Sequence, residues 1–166
     1  MSIQKSLSIE LEREKDNTLR MLRALPNDQF GWKPHAKSMS LGELANHVVE
    51  LHNWVSFVFT QESFDFKSQY VPSTLKTKED LIEVLEKGFE GNKDVIAELD
   101  EANYFSTWTL KAGEHIIAAL PKAGAMRFIV TNHLIHHRGQ LSVYLRLLDV
   151  PVPGIYGPSA DEQMPL

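Results

Sequence analysis

A chain of 166 residues is long enough for one domain with a complete hydrophobic core. Its composition, 43% hydrophobic and 23% charged, is that of an ordinary globular domain and excludes a collagen-like or wholly disordered chain. Seventeen basic against 22 acidic residues leave a net charge of −5, which argues against a nucleic-acid partner, and the absence of cysteine excludes disulfides, thiolate-held zinc, iron–sulfur clusters and a cysteine nucleophile.

The N-terminal run MSIQKSLSIELEREKD has no apolar core and does not read as a signal peptide. No apolar stretch approaches the ~20 residues that cross a bilayer. The expectation is a cytoplasmic protein with no membrane partner, folded as a single domain over residues 1–166. A first helix is predicted from Ile3 to Leu25, stopped by Pro26, with Leu7, Leu11, Leu22 and Leu25 on one face. Its middle, Glu12 to Asn17, is polar and makes the weakest apolar seam. Residues 26–39 read as a loop in which Phe30 and Trp32 pack underneath.

Ser40-Leu41-Gly42-Glu43 is a capping box, in which serine and glutamate side chains satisfy each other's backbone amides. The second helix runs from there to Phe59, with Leu44, His47, Leu51, Trp54 and Val58 as one stripe. A polar break containing Pro72 follows. Thr77 and Asp80 start a third helix that carries Leu81, Val84, Leu85, Val95, Ile96 and Leu99 and is interrupted by Gly88 and Gly91. Phe105 to Leu110, followed by Lys111-Ala112-Gly113-Glu114, reads as a short strand and turn inserted before the last helix. That helix is predicted from Pro121 to Leu148, its core stripe being Met126, Val130, His133, His137, Leu141, Tyr144 and Leu148. Four amphipathic helices around one core define an all-α four-helix bundle.

His133 and His137 lie about 40° apart around the helix axis, so both rings project from one face a turn apart. That spacing lets a helix offer two imidazoles to one ion. His47, on the stripe of another helix, is the candidate third ligand. The rival reading is three core histidines hydrogen-bonded to backbone carbonyls, and the pattern alone leaves both open. His136 points about 100° away from His137 and fits a supporting or interface position as well as a ligand. Glu50 fits a fourth ligand, an acceptor for an imidazole N–H, or a solvated flank carboxylate. Tyr144 either brings a hydroxyl near the site or simply packs. His52 falls about 140° from His47, off the stripe, and is expected at the surface with His35 and His115. Phe128 and Ile135 face away from the histidine stripe. Either the inserted segment covers them or they form a self-associating face.

Three stretches together resemble a known family. They are Trp32-Lys33-Pro34 with Ser40 to His47, the run His133-Leu134-Ile135-His136-His137-Arg138-Gly139-Gln140, and the tail Pro151 to Ser159. The chain is similar along its whole length to the DinB/YfiT-like family. That resemblance implies an up-down-down-up four-helix bundle holding a divalent metal (nickel, zinc or iron) through His47, His133 and His137, often as a homodimer. It also implies a small-molecule substrate, because characterised relatives include transferases and isomerases that use a low-molecular-weight thiol cofactor. Three neutral imidazoles leave an ion its full charge and an open position. A coordinated thiol would become a thiolate, giving a thiol S-transferase, and a bound water would become hydroxide, giving a hydrolase. A non-catalytic metal- or ligand-binding bundle uses the same residues.

Overall fold

The computed structural model describes residues 2–162. Helix α1 spans Ile3–Arg23 and is capped by the Ser2 side chain on the Lys5 amide. Helix α2 spans Leu41–Thr60, and the expected box is made: the Glu43 amide donates to Ser40 Oγ at 3.1 Å and the Ser40 amide to Glu43 Oε2 at 2.7 Å. Gly42 lies against the preceding loop, its amide donating to the Phe30 carbonyl at 2.9 Å. A Cβ there would stand 2.8 Å from the Phe30 ring, so only glycine lets the loop approach this closely.

Next come a short strand β1 (Ser63–Asp65) and the single turn α3 (Phe66–Gln69). Helix α4 (Lys78–Ala97) starts at Thr77, whose hydroxyl accepts from the Asp80 amide at 3.2 Å. Gly88 does not break it, because its missing side chain leaves room for Asn53 of α2. The short helix α5 (Glu101–Phe105) leads into strands β2 (Thr107–Ala112) and β3 (His115–Pro121). The last long helical segment comprises α6 (Lys122–Ala125), a π-helical stretch Met126–Thr131, and α7 (Asn132–Leu147).

The packing partners establish an up-down-down-up order. Leu7 and Leu11, early in α1, cluster with Trp54 to Phe59 late in α2, and Leu19 and Leu22 cluster with Leu41 and Leu44, so α1 and α2 are antiparallel. The Leu75 amide, just before α4, meets Asn46, while Asn92 late in α4 meets His52 and Ser56. Helices α2 and α4 are therefore parallel. Arg127 reaches Glu10 and Arg138 reaches Glu14, so the last segment runs parallel to α1.

The insertion before the last helix is larger than a strand and turn. It is a three-stranded sheet in the order β1-β2-β3, with β1 parallel and β3 antiparallel to β2. Strand β1 falls in the segment read as a polar break, and three residues are too few to carry a recognisable alternation. Phe64, Trp108 and Leu110 turn inward to close one end of the core. The hairpin does not cover Phe128, which stays 63% exposed.

One correction concerns the last helix. Met126, Val130 and Leu141 are buried as predicted, but beyond Val130 the other fully buried positions are Thr131, Leu134, Arg138 and Leu145. His133, His137 and Tyr144 are only half-buried, on the shoulder of that face. The π-helical stretch accounts for the shift. The Asn132 amide bonds to the Arg127 carbonyl five residues back, and this wider turn retards the helix by about one residue's rotation.

The slot so vacated holds Arg138. Its guanidinium donates to the Glu14 carbonyl at 3.0 Å and to Thr18 Oγ1 at 3.1 Å, pairs with the Glu14 carboxylate, and donates to the Tyr156 hydroxyl. That hydroxyl in turn donates to Glu14 Oε2 at 2.7 Å, tying the C-terminal tail into the network. Within the polar middle of α1, Glu14 is therefore the buried counterpart of Arg138, while Glu12, Arg13 and Asp16 face solvent. Two buried ions cost desolvation that pairing offsets only while every partner is present. Glu14→Ala, which strands the guanidinium, should lower stability by about 3–5 kcal/mol, and Tyr156→Phe by about 1 kcal/mol. Urea denaturation checks both, and equal small losses would show that the pair does not anchor the fold.

Candidate metal centre

The capping box fixes the start of α2, and His47 projects two turns further on toward the first turns of α7. There the retarded phase sets His133 and His137 at the rim of the core, facing α2. The three rings converge. Their ligand atoms lie within 4.8 Å of one another, with His133 Nε2 at 2.8 Å from His137 Nε2 and 3.4 Å from His47 Nε2. Nitrogens bound at about 2.0–2.1 Å to one tetrahedral ion stand about 3.3 Å apart, so the spacing suits a single cation.

The other side of two of the rings is also held. His47 Nδ1 donates to Glu50 Oε2 at 3.2 Å and His137 Nδ1 to Gln140 Oε1 at 2.7 Å. The Ile129 carbonyl lies beside the His133 ring. Glu50 and Gln140 each take a ring proton and leave a lone pair on the converging side, the arrangement that orients imidazole ligands at metal centres. Lone pairs aimed at one point repel unless a cation lies between them. The cluster could hold a metal ion.

The electrostatics favour the neutral form of His133 and His137. Burial, then the neighbouring His47 ring, lowers the His133 pKa. Burial, only partly opposed by Gln140, pushes His137 down to about 4. Burial raises the Glu50 carboxyl, but hydrogen bonds from His47, the Ser73 amide and Tyr70 outweigh it and hold the group below its ordinary value. Burial and the Glu50 charge push the Tyr70 hydroxyl up to about 12. Beside His47 lies an open cleft of about 350 Å³, lined among others by Lys37, Met39, Asn46, Glu50, Tyr70 and Ser73.

Other candidates fall elsewhere. His136 is exposed and touches His137 only ring to ring, with centroids 4.9 Å apart. Tyr144 packs: its ring meets Trp32 edge-on at 5.6 Å and its hydroxyl donates to the Met39 carbonyl at 3.2 Å. His35 and His115 are exposed, as expected.

His52 is the outright miss. It is 1% exposed, with Nε2 at 2.9 Å from Thr18 Oγ1. Arg138 donates to the same hydroxyl at 3.1 Å, so His52 and the guanidinium share Thr18. The stripe of Leu44, His47, Leu51, Trp54 and Val58 marks only one buried face of α2, and His52 is buried on another, against Thr18 of α1. The signal available was the polar run in α1, which needs polar partners.

A bundle of four long helices with a three-histidine cluster that could bind a metal defines the class. A family model described as the DinB family matches residues 1–164, and the chain belongs to that family. The chain is 23% identical over 151 residues to YrdA, an uncharacterized protein of Bacillus subtilis strain 168, an alignment covering 91% of this chain and 86% of that protein. Its fold is similar to that of YjoA, a DinB-like protein of Bacillus subtilis, with a TM-score of 0.68 and 16% identity over 96% of this chain and 99% of the other. A DinB-like protein from Bacillus cereus ATCC 10987 is similar too, with a TM-score of 0.66 and 18% identity over 87% and 92% of the two chains. No helix among the described residues is long and apolar enough to cross a membrane.

Burial and the Arg138 charge depress the His52 pKa to about 3. The unfolded chain therefore takes up a proton below about pH 6.5 that the folded chain refuses, and stability falls as pH drops from that value toward 3. Urea denaturation of the chelator-treated protein between pH 7 and 5 should show this loss, shared with His133 and His137. In a His52→Gln variant the slope should be shallower by about 1 kcal/mol per pH unit over this range, approaching one proton's worth at its acid end. An unchanged slope would mean that His52 titrates in the folded state.

Proposed function

We propose that this DinB family protein is a metal-dependent enzyme in which His47, His133 and His137 hold one divalent ion, nickel, zinc or iron, and a low-molecular-weight thiol is activated for transfer to a small electrophilic substrate. The observation that supports it is the convergence of three Nε2 atoms, with the His47 and His137 rings each braced by an oxygen acceptor on the far side. A divalent cation held there acts as a Lewis acid that lowers the pKa of a coordinated thiol or water.

The chain's own residues do the rest. Glu50 and Gln140 set the orientation of His47 and His137. The adjoining cleft has room for a small molecule, with Lys37 and Met39 on one wall and Tyr70 and Ser73 on the other. With no cysteine in the sequence, the thiol comes from outside the chain. A hydrolase working at the same three histidines is the alternative. Exposure of Phe128 supports self-association through that face.

Protein purified without a histidine tag should carry about one such ion per chain by elemental analysis. A His133→Ala, His137→Ala double variant should stay folded and carry none. The loaded protein should then accelerate conjugation of a small thiol to a chlorinated fluorogenic electrophile, and the double variant should not. Metal without thiol transfer but with ester hydrolysis would favour the hydrolase. No ion bound even after incubation with divalent metals would end the enzyme reading.

A further inference from the structure

Residues 70–75 form an extended strap across α2 with no regular secondary structure. Two α2 side chains hold it. Asn46 Oδ1 accepts from the Leu75 amide at 3.0 Å and from Ser73 Oγ at 2.5 Å, and Asn46 Nδ2 donates to the Leu75 carbonyl at 3.0 Å. Glu50 Oε1 accepts from the Ser73 amide at 2.5 Å, and Oε2 from the Tyr70 hydroxyl at 3.0 Å. Among the described residues, no backbone-to-backbone hydrogen bond secures residues 70–75.

Glu50 is thus shared. The same Oε2 that receives the Tyr70 hydroxyl also receives His47 Nδ1–H. With its side chain 13% exposed, the carboxylate has little water to replace a lost partner. Tyr70, Pro72 and Ser73 meanwhile form one wall of the cleft beside His47. A cation on Nε2 polarises the opposite N–H and strengthens its bond to a carboxylate. That fixes the Glu50 rotamer on which the strap depends. The coupling is reciprocal, so an open strap frees Glu50 to turn away and loosens His47.

We propose that Glu50 is a positioning residue that couples ion binding at the three histidines to closure of the Tyr70–Leu75 strap over the adjoining cleft. Loading the ion stabilises the closed strap and with it that wall of the cleft. This rests on the metal reading above.

The test is hydrogen exchange of the strap with and without zinc, alongside zinc affinity by chelator competition, on wild type, Glu50→Gln and Tyr70→Phe. Circular dichroism confirms folding. In the wild type, zinc should slow exchange at the Ser73 and Leu75 amides. Glutamine offers one acceptor oxygen, so it can serve His47 or Ser73 but not both. Glu50→Gln should therefore weaken zinc binding on the order of 10- to 100-fold and abolish the zinc-dependent protection. Tyr70→Phe touches no histidine and should still lose zinc affinity, by a smaller factor. A residue that merely held the strap would speed its exchange without changing zinc affinity. Zinc bound tightly by the wild type with strap exchange unchanged, or wild-type affinity in Glu50→Gln, would overturn the coupling and leave the metal site standing. A wild type that takes no zinc overturns both.

Discussion

The buried guanidinium of Arg138 is the constraint on which the arrangement of this bundle depends. Two helices and the tail meet at it: Glu14 and Thr18 from α1, Tyr156 from the chain's end, and Arg138 itself on α7. A charge at 2% exposure cannot tolerate a missing partner, so the rotation of α7 about its axis is fixed by where α1 presents its acceptors. That rotation carries His133 and His137 out of the core and onto its rim. The π-helical stretch makes the rotation available, because a continuous α-helix from Met126 would have put the histidines inside and the arginine outside.

The position of the histidines on the rim matters chemically. Imidazoles deep in the core would satisfy one another or a backbone carbonyl and would be closed to small molecules. Half-buried, His133 and His137 are dry enough to favour the neutral form and offer lone pairs, and the site is open on one side to a cleft. Two of the rings have an acceptor behind them, Glu50 for His47 and Gln140 for His137. Helix α2 contributes three residues to this neighbourhood within two turns, with His47 facing α7 and Asn46 and Glu50 holding the strap. The capping box at Ser40 and Glu43 therefore sets the depth of the site as well as the start of a helix.

Much of this was legible in the sequence wherever the signal is local. The helix starts at Ser40 and Thr77 were readable because capping depends on residues three apart in the chain. The pairing of His133 with His137 was readable because helical geometry alone puts them on one face. The three-residue strand β1 was not, because its identity comes from β2, more than forty residues away, with Ser63 opposite Thr109. His52 was misplaced for a related reason. An angle on a helical wheel says which residues share a face, but not which neighbour that face meets, and α2 packs on three sides.

The sequence by itself determined the bundle class, the boundaries of its long helices and the residues able to bind a metal, because these follow from periodicity, capping and side-chain chemistry. It did not contain, in any local form, the phase of α7 after Thr131 or the burial of Glu14. Both arise from a pairing between residues 124 positions apart. Only the tertiary structure decided that Glu14, in the polar middle of α1, belongs to the core and that Arg138, not His137, lies at its centre. The cost of burying an ion is met by partners that only folding brings together.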